Sequence, residues 1–177
     1  MRISTKKGDR GESSLMTGKK LPKGDMVFDV LGDLDEMSCF TGWAKNGVRE
    51  DGHDDGSVVE FLERVQDDLY RMMSLVGNEM VAPEGVEALG PEDVSYLEGL
   101  VEKYEAELGK LDKFLKLDGN EAAARLNILR GLCRWCERDV VRAKDELGIP
   151  AEMLEYINRL SDLLFLMAVK FDRISAQ

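Results

Sequence analysis

From residue 26 onward apolar positions recur at helical spacing, and the pattern breaks where glycine and proline sit. Val27, Val30, Leu31, Leu34, Met37, Ser38, Thr41 and Ala44 predict a first helix over residues 26–46, ended by Gly47 and followed by a polar loop over 49–56. Ser57 with Glu60 reads as a capping box that opens a second helix. Its stripe is Val58, Phe61, Leu62, Val65, Leu69, Met72, Met73 and Val76. Pro83, Gly85 and Gly90 mark a loop, after which Pro91-Glu92-Asp93 starts a third helix carrying Val94, Leu97, Leu100, Val101, Tyr104 and Leu108 as far as Gly109. Asp118-Gly119-Asn120 caps a fourth helix over 121–147, which Gly148-Ile149-Pro150 stops. A fifth follows over 151–171. No alternating strand of useful length and no repeat is visible. The pattern predicts an all-α fold: a five-helix up-and-down bundle over residues 26–177, preceded by an arm over 1–25.

Length and composition narrow this further. A chain of 177 residues with 44% hydrophobic side chains suits one domain with a real core. No apolar run reaches about 18 residues, so no transmembrane helix is expected. The start Met1-Arg2-Ile3-Ser4-Thr5-Lys6-Lys7 has no apolar stretch of the kind a secretory signal needs. Three cysteines, an odd number, fit a reducing cytoplasm. The net charge of −11 disfavours nucleic acid as a partner.

That charge is unevenly placed. Arg2, Lys6, Lys7, Arg10, Lys19, Lys20 and Lys23 face only Asp9 and Glu12 within the arm, so a basic, glycine-bearing segment precedes an acidic body. Such an arm suits an anionic small molecule. On charge alone a solvated terminus remains the competing reading. With little apolar surface to dock it, the arm is expected to be mobile until a nucleotide orders it.

Most candidate chemistry fails on inspection. Cys133-Arg134-Trp135-Cys136 has C-x-x-C form but no second pair, and the single histidine, His53, lies in a distant loop, so buried helix-face cysteines are expected and no metal site. His53 likewise has no pattern supporting a Ser-His-Asp triad. Gly11 to Lys19 has the wrong spacing for a Walker A loop. What remains is a set of glycines, hydroxyls and lysines over residues 5–14 from which a non-Walker phosphate cradle can be built. On the fourth helix, Arg130, Arg134 and Glu137 share one face. Surface pairing among these residues and grip on a phosphate both fit that spacing.

Taken together, the motifs resemble one family. Thr5-Lys6-Lys7-Gly8-Asp9-Arg10-Gly11-Glu12-Ser13-Ser14, with Thr17-Gly18-Lys19 and Lys23, is similar to the N-terminal signature of PduO-type ATP:cob(I)alamin adenosyltransferases. Gly32-Asp33-Leu34-Asp35-Glu36-Met37-Ser38, Arg134-Trp135-Cys136-Glu137-Arg138 and Tyr156-Ile157-Asn158-Arg159-Leu160-Ser161-Asp162 resemble its later motifs, in order.

The resemblance implies a five-helix bundle assembled as a homotrimer with sites between subunits. It also implies transfer of the 5′-deoxyadenosyl group of ATP to the reduced cobalt of cobalamin, with Mg²⁺, releasing triphosphate. A downstream adenosylcobalamin-dependent enzyme is implied as a partner. By motif, Thr5, Lys6, Lys7, Gly8, Ser13, Ser14 and Lys23 would surround the phosphates. Arg134, Glu137, Arg138 and Asn158 would hold ATP from the helical face. Asp35 and Arg130 match an ion pair between subunits, and Phe114 matches the aromatic that helps strip the lower axial ligand from cobalt. The segment Leu117-Asp118-Gly119-Asn120, Asn127 and Trp135 differ from the family's pattern, as does Lys116. An enzyme and a non-catalytic ATP- or corrinoid-binding paralogue are both open readings of these residues.

Overall fold

The computed structural model describes residues 6–111 and 115–174, apart from the side chain of Lys7. Five helices dominate it: α1 (Met26–Asp51), α2 (Ser57–Gly77), α3 (Pro91–Leu108), α4 (Glu121–Leu147) and α5 (Ala151–Ile174). Before them, a 3₁₀ turn over Lys7–Arg10 leads into two short antiparallel strands, β1 (Glu12–Ser14) and β2 (Lys20–Pro22). Their register pairs Ser13 with Leu21 and Ser14 with Lys20.

Helix order in space is α2, α1, α4, α5, α3, each packed on the next. The Tyr156 hydroxyl of α5 donates to Asp68 Oδ2 of α2 at 2.8 Å, which ties the two sides of the bundle together. The seam between α1 and α4 is apolar, with Val30, Leu34, Met37 and Ala44 on one side and Leu126, Leu129, Cys133 and Val140 on the other, all nearly inaccessible. Each such side chain contributes about 1.5–3 kcal/mol relative to exposure.

Arg64 and Arg71 lean from α2 onto Asp93 of α3, with Arg71 also bonded to Asp68 at 2.7 Å. Buried Asp68 and Asp93 are thereby paired, as burial of charge demands.

Three local expectations change. Gly47 does not end α1, which continues to Asp51 and turns at Gly52 with φ 76°. Gly47 is instead a site of close approach: a Cβ there would lie 2.6 Å from Arg125 Cδ of α4. Tertiary packing, not helix termination, selects the glycine. Ser57 begins α2 as expected but does not cap it. Asp54 does, its carboxylate accepting from the amides of Val58 and Val59 at 3.1 Å each. Third, the arm carries a hairpin with its own anchor. Leu15 is buried, and the Met16 amide donates to Gly77 O at the end of α2, 2.9 Å away.

Among the described residues no helix is long and apolar enough to cross a membrane. The cysteines are free thiols, Cys39 exposed and Cys133 and Cys136 buried.

Candidate functional site

The arm closes around a cavity of about 650 Å³ lined by Lys6, Gly8, Arg10, Glu12, Ser13, Ser14 and Lys20. Lys6 adopts a left-handed conformation, φ 58°, and the chain turns back through Gly11 at φ 78°. The Lys23 amide donates to Gly11 O at 2.8 Å, which folds the segment after β2 over the 3₁₀ turn. Lys23 Nζ then sits 3.0 Å from where a Cβ on Gly8 would be. Three cationic residues, two serines, a bare glycine and one carboxylate thus line one hollow, with the Lys23 ammonium beside its glycine. Such a hollow is built for an anion.

Lys19, at the turn of the hairpin, pairs with Glu79 beyond α2 at 2.7 Å. That hydrogen bond and the opposite charge raise the Lys19 pKa and lower that of Glu79. Glu79 and Met80 both hold positive φ, 54° and 63°, where the chain leaves α2. Thr5 lies outside the described residues, as does the side chain of Lys7.

A second group lies on α4 and α5. Asn158 donates its side-chain N–H to Glu137 Oε1 at 2.7 Å, so those two expected residues are joined. Arg134 stands one turn before Glu137, exposed, and its guanidinium has no hydrogen-bond or ion-pair partner among the described residues. Its carbonyl accepts from Arg138 Nη1 at 2.9 Å. The surface-pairing reading of Arg134 with Glu137 is therefore not what the structure adopts.

Asp35 and Arg130 are not brought together within the chain. Asp35 is exposed, whereas Arg130 Nε donates to Asn127 Oδ1 at 2.9 Å and its guanidinium lies 5.9 Å from the Phe165 ring centroid. Phe114 lies outside the described residues. A cavity of about 520 Å³ opens between the end of α3 and α5, with Glu105, Gly109, Arg159, Asp162 and Phe165 on its walls. Among the described residues no hydrogen bond or ion pair joins the arm cavity to the α4–α5 group.

The buried thiols play no ionic part. Burial pushes Cys136 up to about 12 and Cys133 well above the ordinary range. Asp33 is different. Burial, then the neighbouring Asp139 carboxyl, raise it to about 6, and its Oδ2 is enclosed without a hydrogen-bond partner.

A family model described as cobalamin adenosyltransferase matches residues 3–171. The chain belongs to the cobalamin adenosyltransferase family. It is 34% identical over 175 residues to the corrinoid adenosyltransferase MMAB of Mus musculus, covering 94% of this chain and 71% of that one. It is 31% identical to a corrinoid adenosyltransferase of Citrobacter freundii, covering 94% and 93%. Its fold matches a phenylalanine-to-histidine variant of the PduO-type ATP:corrinoid adenosyltransferase from Lactobacillus reuteri complexed with cobalamin and ATP. That match has a TM-score of 0.86 at 24% identity over 99% of this chain and 94% of the other.

Positions that depart from the family's motifs carry structural work in this cobalamin adenosyltransferase fold. Asn127 holds Arg130, as above. Trp135 lies beneath Arg138, whose guanidinium carbon is 5.2 Å from the ring centroid. Asn120 caps α4 through Ala123 at 2.7 Å and donates to both Asp51 Oδ2 and Phe171 O at 3.0 Å. Gly119 meets Asp172, its amide donating at 2.8 Å to an oxygen that leaves no room for a Cβ. Sequence reasoning did not assign Arg10, Glu12 or Lys20 to the cavity; Lys20 comes to it because the hairpin register sets it opposite Ser14.

Proposed function

We propose that this chain transfers the 5′-deoxyadenosyl group of ATP to the reduced cobalt of cob(I)alamin or a related corrinoid, giving adenosylcobalamin and triphosphate. Membership of the family over residues 3–171 is the observation that carries the reading. The cationic arm cavity supports it independently, since it fits a triphosphate.

Cob(I)alamin is itself a powerful nucleophile, so the protein supplies no attacking group. Its cobalt electron pair forms the bond to C5′ as the C5′–O bond breaks, and the electrons of that bond leave on triphosphate. The residues have two tasks: hold C5′ in line with cobalt, and neutralise charge that grows on the departing oxygens. Lys6, Lys23 and the hydroxyls of Ser13 and Ser14 hold the phosphates, with Gly8 leaving space for them. Thr5 and Lys7 are assigned to the same cradle by motif. Arg134 grips phosphate oxygens in bidentate fashion, while Glu137, Arg138 and Asn158 orient the nucleoside. Among the described residues no group of three metal-ligating side chains exists. Glu12 with the two serine hydroxyls would hold a Mg²⁺ ion carried in on the nucleotide. Such an ion adds positive charge at the phosphates.

Among the described residues no hydrogen bond or ion pair joins the arm to the Arg134 face of the same chain. The reading therefore places the complete site between copies of a homotrimer, with Asp35 and Arg130 pairing across the contact. The cavity beside Arg159, Asp162 and Phe165 takes the corrinoid side, to which Phe114 is assigned by motif alone. Residues 1–25 act as the nucleotide arm and 26–177 as the bundle. Anaerobic incubation with ATP, Mg²⁺ and chemically reduced cob(I)alamin tests this. Appearance of the adenosylcobalamin spectrum supports an enzyme; ATP binding without turnover leaves a binding paralogue.

A further inference from the structure

Neighbouring residues on a helix point in different directions, so i,i+1 side chains do not ordinarily meet. On α5 two of them do. Arg159 Nη2 reaches back to donate to Asn158 Oδ1 at 2.8 Å, while Nη1 donates to Asp162 Oδ2 at 2.9 Å. The Asn158 amide, on its other side, donates to Glu137 Oε1 at 2.7 Å.

These contacts leave the amide only one orientation. A guanidinium can only donate and a carboxylate only accept, so Asn158 must turn its oxygen to Arg159 and its nitrogen to Glu137. The Arg159–Asp162 pair is 37% and 48% exposed, a setting in which an ion pair adds little to stability. Its effect is geometric.

We propose that Arg159, anchored by Asp162, is a positioning residue that fixes the side chains of Asn158 and, through it, Glu137 for the nucleotide. This rests on the functional reading above, in which Asn158 and Glu137 face ATP. Arg159 also lines the 520 Å³ cavity beyond the end of α3, so its role at the nucleotide must be read with ATP alone. Lysine in its place keeps the charge but cannot reach Asn158 and Asp162 through two nitrogens of one plane.

The experiment is a double-mutant cycle on the full chain, read as ATP affinity by calorimetry without corrinoid. Arg159→Lys is expected to weaken ATP binding about five- to tenfold, the size of one ordinary net hydrogen bond. Asn158→Ala should weaken it by a similar or larger factor. The double variant should be no weaker than Asn158→Ala within about twofold, because the arginine acts through the asparagine. With cob(I)alamin present, Arg159→Lys should raise KM for ATP. Asp162→Asn, which removes only the anchor, should weaken ATP binding in the same direction by about two- to threefold, and it replaces Arg159→Lys in the cycle if that variant does not fold. Wild-type affinity in Arg159→Lys, or losses that multiply in the double variant, overturn the positioning role while leaving the adenosyltransferase reading intact. A wild-type chain that binds no ATP overturns that reading and this inference with it.

Discussion

Lys23 Nζ occupies the space immediately beside the bare α-carbon of Gly8, 3.0 Å from where a Cβ would stand. The obstacle is the mobile end of a long side chain, so a methyl group there would move the ammonium and spare the backbone. Gly8→Ala should therefore weaken ATP binding by about 1 kcal/mol, part of a charged hydrogen bond, while the melting temperature stays near wild type. Calorimetric titration beside a melting curve separates the two. Loss of stability with unchanged affinity would remove Lys23 from the cradle.

Arg134 is exposed and its guanidinium is unengaged among the described residues, so replacing it should cost the fold little. Charge on triphosphate grows as the C5′–O bond breaks, so a bidentate grip tightens in the transition state. Arg134→Lys should lower kcat and raise KM for ATP, a combined loss of about 2–4 kcal/mol. Kinetic constants near those of wild type would show that the guanidinium does not touch the reacting phosphates.

The Asp33 carboxyl holds its proton up to about pH 6, against an ordinary 3.8, because burial and the Asp139 charge disfavour its ionised form; Glu36 and Asp29 add smaller repulsions. The folded state then binds this proton more tightly than the unfolded chain. Its contribution is fully present below about pH 4 and declines as pH rises through 6. Asp33→Asn should abolish that decline and raise stability at pH 7–8, by at most about 1 kcal/mol given the solvent access of the pair. Parallel melting profiles for both proteins from pH 4 to 7 would mean that the carboxyl is not strained.

Asp35 and Arg130 share no hydrogen bond or ion pair inside one chain, and the functional reading pairs them between copies. Reversing either charge alone should weaken self-association by about 1.5 kcal/mol or more, and Asp35→Arg combined with Arg130→Asp should recover part of it. Sedimentation velocity at micromolar protein reads this directly. Equal association in all four proteins would separate the two residues from the subunit contact.

Asn120 caps α4 and bonds to Asp51 and Phe171, so three helices meet at one amide. Asn120→Ala removes the cap and leaves two acceptors short of a donor, at a cost of about 2 kcal/mol by urea denaturation. A change below a few tenths would mean that water replaces it freely.

The helices were readable because each is long, strongly periodic and bounded by punctuating residues. Pro91, Asn120 and Gly148 stand where α3 and α4 begin and end. Gly47 misled because a glycine chosen for close contact with Arg125 looks in sequence like one that ends a helix. The strands of the hairpin span three residues each, too few for a period of two to emerge. Motif order named Lys6, Ser13, Arg134 and Asn158 as candidates. Spacing alone could not reveal that Arg159 bends back to Asn158, or that Asp33 and Asp139 face each other from separate helices. The first is a rotamer choice within α5, and the second exists only after α1 and α4 pack.

The hairpin's anchorage alters the thermodynamic character of whatever binds in its hollow. Leu15 is buried, Met16 is bonded to Gly77 and Lys19 to Glu79, so the turn of the hairpin is part of the bundle's surface. A disordered loop would charge each ordered residue about 1–2 kcal/mol of conformational entropy against the ligand. Here the strands carrying Ser13, Ser14 and Lys20 are already paired and seated. Association with a nucleotide is then closer to docking on a rigid platform than to coupled folding, with a correspondingly small change in heat capacity.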